Sequence, residues 1–141
     1  MVNTAVLVLS MVGALAPVDA QIRAVAALPG EPRIVSAAGV HKDETPVATI
    51  ENPDAFDPAA KQMRAVLVGG ASGDSAEAIV AAVRWFKTRA PRALKQQWSI
   101  SALPAASFEP ADKLSLSRWI SFQAPDLLIT VGTDPIQDPI A

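Results

Sequence analysis

The chain has 141 residues, half of them apolar and 18% charged, which suits one small globular domain with a core and excludes a disordered chain. A net charge of −2 supplies no general attraction to nucleic acid or to an anionic membrane, so no nucleic-acid partner is expected. The absence of cysteine excludes disulfides and thiolate metal sites, and a single histidine, His41, excludes a zinc site built from several imidazoles of this chain.

Residues 1–20 are apolar, with the runs Ala5-Val6-Leu7-Val8-Leu9 and Met11-Val12-Gly13-Ala14-Leu15-Ala16 closed by Pro17 and Asp19. A membrane span needs about 20 consecutive apolar residues, so no stable span is expected. Val18-Asp19-Ala20 places small residues where a signal peptidase cuts. The segment reads as a secretory signal cleaved before Gln21, although no Lys or Arg precedes its apolar run. That reading makes the protein exported, either periplasmic or extracellular. An uncleaved anchor or a buried strand is the alternative. Residues 21–141 then form a single α/β domain, complete or truncated.

Residues 21–32 read as a connector with two prolines. Arg33-Ile34-Val35-Ser36 and Pro46-Val47-Ala48-Thr49-Ile50 are short and rich in β-branched residues, and they predict an antiparallel hairpin with a long loop. His41, Asp43 and Glu44 lie in that loop. Neighbouring side chains at a loop tip rarely converge on one ligand, so a solvated tip is expected. Asn52-Pro53 and Asp57-Pro58 are turn signals, with Phe56 between them to pin the loop.

Ala65-Val66-Leu67-Val68 is continuous rather than alternating, as in a strand covered on both faces. A glycine turn follows, and Asp74 with Glu77 has the spacing of a capping box. Ile79, Val83, Phe86 and Ala90, with Val80 and Ala82 beside them, form a helical stripe. Arg84, Lys87 and Arg89 fall near the end of this helix, where its dipole favours cations, and are expected on its solvated face. Pro91 ends it.

Residues 97–103 alternate, with Trp98, Ile100 and Ala102 on one side and Ser99 and Ser101 on the other, which predicts a half-buried strand. Residues 112–123 predict a second helix with Leu116, Trp119, Ile120 and Phe122 inward. Asp126-Leu127-Leu128-Ile129-Thr130-Val131 predicts another buried strand. Residues 132–141 predict no element. The order is a hairpin followed by β-α-β-α-β. The fold class is α/β: a mostly parallel sheet with flanking helices, an antiparallel edge hairpin, and parallel neighbours joined by short crossovers.

Ligands in open α/β folds bind at the carboxyl ends of strands, which places a candidate pocket at Gly70, Ser72, Gly73, Asp74 and Ser75. Its backbone N–H groups and serine hydroxyls could hold a small molecule or a peptide. A dinucleotide fits poorly. Gly70 and Gly73 give only G-x-x-G, Asp74 puts negative charge where a pyrophosphate would sit, and Ser101-Ala102-Leu103 offers no acid to a ribose. Ser72 or Ser75 as a nucleophile needs a base within reach, and the one histidine lies in the hairpin loop.

The ordered segments resemble the N-terminal half of the zinc carboxypeptidase superfamily, including its succinylglutamate desuccinylase-like branch, over residues 33–133. The hairpin is similar to the one ahead of that family's first central strand. Residues 65–74 are similar to its Val-Gly-Gly-x-His-Gly-Asp-Glu turn. Ser101-Ala102-Leu103-Pro104 is similar to a strand running into Asn-Pro-Asp-Gly, and Pro125-Asp126-Leu127 to a strand that ends in histidine. The resemblance implies a zinc ligand set, but its positions fall on Ser72, Ser75 and about Gly132. Ala105-Ala106-Ser107-Phe108 replaces the Asn-Pro-Asp-Gly segment, and the family's general-base glutamate lies beyond Ala141. The expectation is a catalytically inactive domain, degenerate or truncated, with no catalytic residue and no cofactor. Zinc enters only if the chain is a fragment of an active zinc-dependent peptidase or amidohydrolase. A structural or partner-binding domain is the other class, with Trp85, Trp98 and Trp119 as its apolar surface, although these tryptophans are expected to pack on the sheet.

Overall fold

The structure, a computed structural model, describes residues 17–41, 44–53, 57, 59–70, 72–107 and 109–132. Asp43, Phe56, Phe108, residues 1–16 and residues 133–141 lie outside the described residues.

The uninterrupted apolar run around Val66 forms β3 (Met63–Gly69), which is buried on both faces as its pattern predicts. It pairs in parallel with β4 (Trp98–Leu103) on one side and β5 (Leu127–Val131) on the other. The predicted hairpin forms from β1 (Ile34–Val40) and β2 (Pro46–Glu51), and β2 joins the sheet antiparallel to β4. The strand order is β1-β2-β4-β3-β5. This is the expected α/β class, a mixed sheet with a parallel core and an antiparallel hairpin. β4 and β5 are not neighbours, however. The second crossover passes over β3 and lays β5 on its far side.

Side chains along β3 alternate between two cores. Ala65 and Leu67 join Ile50, Ile100 and Ala102 beneath α1 (Val18–Ala26) and α2 (Gly73–Thr88). Val66 and Val68 join Val47, Leu103, Leu116, Trp119 and Ile120 beneath α4 (Pro110–Gln123). The stripe on α2 is buried at Ile79, Val80, Val83 and Phe86, and Ala90 just past its end is buried too, while Ala82 is exposed. Each large apolar side chain fully buried in such a core contributes about 1.5–3 kcal/mol.

Several expectations are corrected. Residues 21–32 are not a plain connector, because α1 occupies their first half. Ile22 and Val25 share one face at helical spacing and are fully buried against the sheet. A cut before Gln21 would fall inside α1. A short helix α3 (Arg92–Gln97) also forms directly after Pro91. β4 is not half-buried. It lies between β2 and β3, and α4 covers its serine face, so Ser99 and Ser101 are buried. That face is polar throughout its lower half. Thr49 Oγ1 donates to Glu51 Oε2 (2.8 Å), Gln123 Nε2 donates to Glu51 Oε1 (2.9 Å), and the Asn52 N–H donates to Ser101 Oγ (3.2 Å).

β5 is not buried. It is an edge strand, and Leu127, Ile129 and Val131 are all exposed. Phe122 points outward at 69% exposure, and Gln123 takes the inward position. Lys87 leaves the solvated face predicted for the charges of α2 and is only 5% exposed. No helix among the described residues is long and apolar enough to cross a membrane.

Candidate functional site

The five pocket residues follow β3 directly, at the carboxyl end of the parallel strands. Gly70 and Ser75 are buried, while Ser72, Gly73 and Asp74 are exposed. Their roles differ from those predicted. Asp74 does not cap the helix. Ser72 does: it has extended backbone, and its Oγ accepts the N–H of Ser75 at 3.2 Å. The two hydroxyls also bond to each other at 2.7 Å. Asp74 sits in the first turn, where the dipole favours a carboxylate, and Glu77 lies beyond the reach of a capping box.

The turn is packed against its neighbours. The N–H of Gly70 donates to the carbonyl of Val131 at 2.7 Å, and the N–H of Ala106 donates to the carbonyl of Gly69 at 2.9 Å. The strand exits are therefore laced together. A β-carbon on Gly132 would lie 3.2 Å from the Gly70 Cα and 3.5 Å from the Ser75 Oγ. The residue that restricts the turn most is Gly69, since a β-carbon there would collide with the carbonyl oxygen of Pro104. Gly73, expected to permit the turn, has open space around it and a negative φ.

This donor set does not fit zinc. Where the resemblance implies imidazole and carboxylate ligands, the chain has two neutral hydroxyls bonded to each other and a glycine with no side chain. Among the described residues, no group of three or more His, Asp and Glu side chains converges. His41 is half-buried at the end of β1. Its Nδ1 makes a long 3.5 Å contact with Asp112 Oδ2 in the first turn of α4, which ties the hairpin to that helix. His41 is thus not simply solvated, whereas Glu44 is exposed as expected of a loop tip. The hydroxyls of Ser72 and Ser75 bond to each other and His41 faces Asp112, so among the described residues neither of these serines is paired with the imidazole.

Lys87, expected on the solvated face of its helix, is buried instead. Its Nζ donates to the carbonyls of Val25 (2.8 Å), Ala26 (3.1 Å) and Pro32 (2.8 Å). It thereby caps α1 and holds the loop before β1. Burial pushes its ammonium below the ordinary lysine value of 10.5, with Glu31 opposing the shift and Arg33 adding to it. A signal was present in the sequence, since Ile79, Val83 and Lys87 fall on one helical line.

No protein-family model matches the chain, and no curated protein or solved structure is significantly similar to it.

Proposed function

We propose that this chain is a catalytically inactive α/β domain of the zinc carboxypeptidase-like kind, exported by its N-terminal segment, in which the turn after β3 works as a structural joint. The observation that carries this reading is the mutual hydrogen bond of Ser72 and Ser75 with Ser72 capping α2. These hydroxyls stand where the resemblance puts metal ligands, and they are committed to starting a helix. The order of hairpin, strand, turn, helix, strand, helix and strand agrees with the resemblance. Isothermal calorimetry with zinc, paired with peptidase and amidohydrolase assays, tests it. The expected result is no stoichiometric zinc uptake and no turnover. Tight one-to-one zinc binding with turnover overturns the proposal.

A second reading, a partner-binding domain, is favoured by exposed apolar side chains. Of the three tryptophans, Trp119 is buried and Trp98 is half-buried, but Trp85 is 47% exposed. It lines an apolar cavity of about 380 Å³ together with Leu94, Leu127 and Ile129. An apolar concavity of this kind marks an interaction surface more often than a random surface does.

A further inference from the structure

An open groove of about 900 Å³ runs between α1 and α2, floored by Ala24, Leu28, Val80 and Ala81. Trp85 stands between this groove and the apolar cavity beside β5 and lines both. On α2, the residues Glu77, Ala81, Arg84, Trp85 and Thr88 form one exposed stripe at helical spacing. Its centre is small, one end carries a carboxylate, and the other carries guanidinium groups from Arg84 and Arg89. Among the described residues, none of Glu77, Arg84 and Arg89 forms an ion pair.

We propose that the partner of this surface is a second copy of the chain, packed so that the two α2 helices cross antiparallel at Ala81. A two-fold interface must be complementary to itself. The stripe meets that condition through its charges. A two-fold axis beside Ala81 sets Glu77 of one copy across from Trp85 and next to Arg84 of the other, so both ends pair opposite charges. The exposed alanines at positions 78, 81 and 82 allow the helices to approach closely. Each Trp85 then enters the groove between α1 and α2 of the other copy, and its ring covers Leu28 and Val80. An uncharged small molecule would leave the arginines unpaired, and a parallel crossing would set like charges against each other.

Sedimentation velocity on the full chain, from micromolar to millimolar concentration, tests this directly. The expected result is a concentration-dependent dimer that weakens as salt rises. Glu77→Arg and Arg84→Glu should each raise the dimer dissociation constant about tenfold. The double variant E77R/R84E should restore it, because the pair is reversed as a whole. All of these positions are exposed, so circular dichroism of each variant should match the parent. A monomer at every concentration overturns the proposal. So does a dimer indifferent to the single reversals, or a double variant that fails to rescue. A dimer broken by Ile129→Lys and untouched by the reversals also overturns it, since association would then run through the β5 edge.

Discussion

Gly69 and Pro104 meet backbone to backbone: the position a β-carbon would take on Gly69 is already filled by the carbonyl oxygen of Pro104. Both residues end strands, Gly69 in β3 and Pro104 just past β4. The contact is reinforced by the bond from the Ala106 N–H to the Gly69 carbonyl. Backbone atoms at a strand end cannot move aside as a flexible side chain can. Gly69→Ala should therefore force β3 and β4 apart and cost about 3 kcal/mol or more, at the upper end for single substitutions. Urea denaturation with a shifted midpoint and an unchanged slope would register this. A loss below about 1 kcal/mol would mean that the two strand ends part easily.

The neighbouring turn residues should respond in opposite directions. Gly73 opens α2 with free space at its missing β-carbon, so Gly73→Ala should stabilise the chain by about 0.5–1 kcal/mol through loss of unfolded-state freedom. Ser72→Ala removes the cap and should cost about 1 kcal/mol. Asp74→Ala loses only a dipole interaction at an exposed site and should cost about 0.5 kcal/mol. Thermal melts of the three variants should follow that order. If Asp74→Ala cost more than Ser72→Ala, the capping role would return to Asp74.

How far such details can be read from the sequence depends on which contact decides them. β3 was legible because burial on both faces leaves an uninterrupted apolar run. β5 carries the same kind of run but sits at an edge. Hydrophobicity along a strand cannot reveal whether a further strand lies beside it. β4 misled in the other direction: Ser99 and Ser101 alternate as solvent-facing residues would, but α4 and β2 cover that face with Gln123, Thr49 and Glu51. The candidate turn was legible in position, since Gly70 to Ser75 does follow β3 at the carboxyl end of the parallel strands. Its internal roles were not. The restriction on Gly69 is imposed by Pro104, and the fit of Gly70 by Gly132, both distant in sequence.

Lys87 gives a prediction that depends on pH. Its ammonium supplies donors to three carbonyls, two of them at the C-terminal end of α1. Lys87→Met keeps much of the stem volume and removes all three bonds, and should cost about 2–4 kcal/mol. Burial lowers the folded-state value of Lys87 below 10.5. Between that lowered value and 10.5 the unfolded chain binds a proton that the folded chain does not. Stability therefore rises with pH across this window through this group. Its unfavourable share is fully present below the folded value and is relieved as pH approaches 10.5. Urea denaturation of both proteins near pH 7 and near pH 10 should show the parent gaining on the methionine variant at the higher pH. A parent advantage that shrinks instead would mean that the charged form is favoured by the fold.

The helix α1 bears on how the N-terminal segment can be processed. Ile22 and Val25 are fully buried in the core shared with α2, and both lie after the predicted cut before Gln21. Val18 is only partly buried, and Pro17 provides no side-chain cap. A chain beginning at Gln21 therefore keeps the two anchoring residues and the carbonyls that Lys87 binds. It loses one turn and the Asp19 carboxylate, and places a positive α-amino group at the helix start, where the dipole disfavours it. Such a chain should stay folded with a loss of about 1 kcal/mol. Ile22→Asp in the full chain should cost more than about 3 kcal/mol, since a carboxylate would enter an apolar core without a partner. Denaturation of the two proteins side by side checks the contrast. If the chain starting at Gln21 unfolds while Ile22→Asp is tolerated, α1 is held by its first turn rather than by its buried face, and cleavage there would be incompatible with the fold.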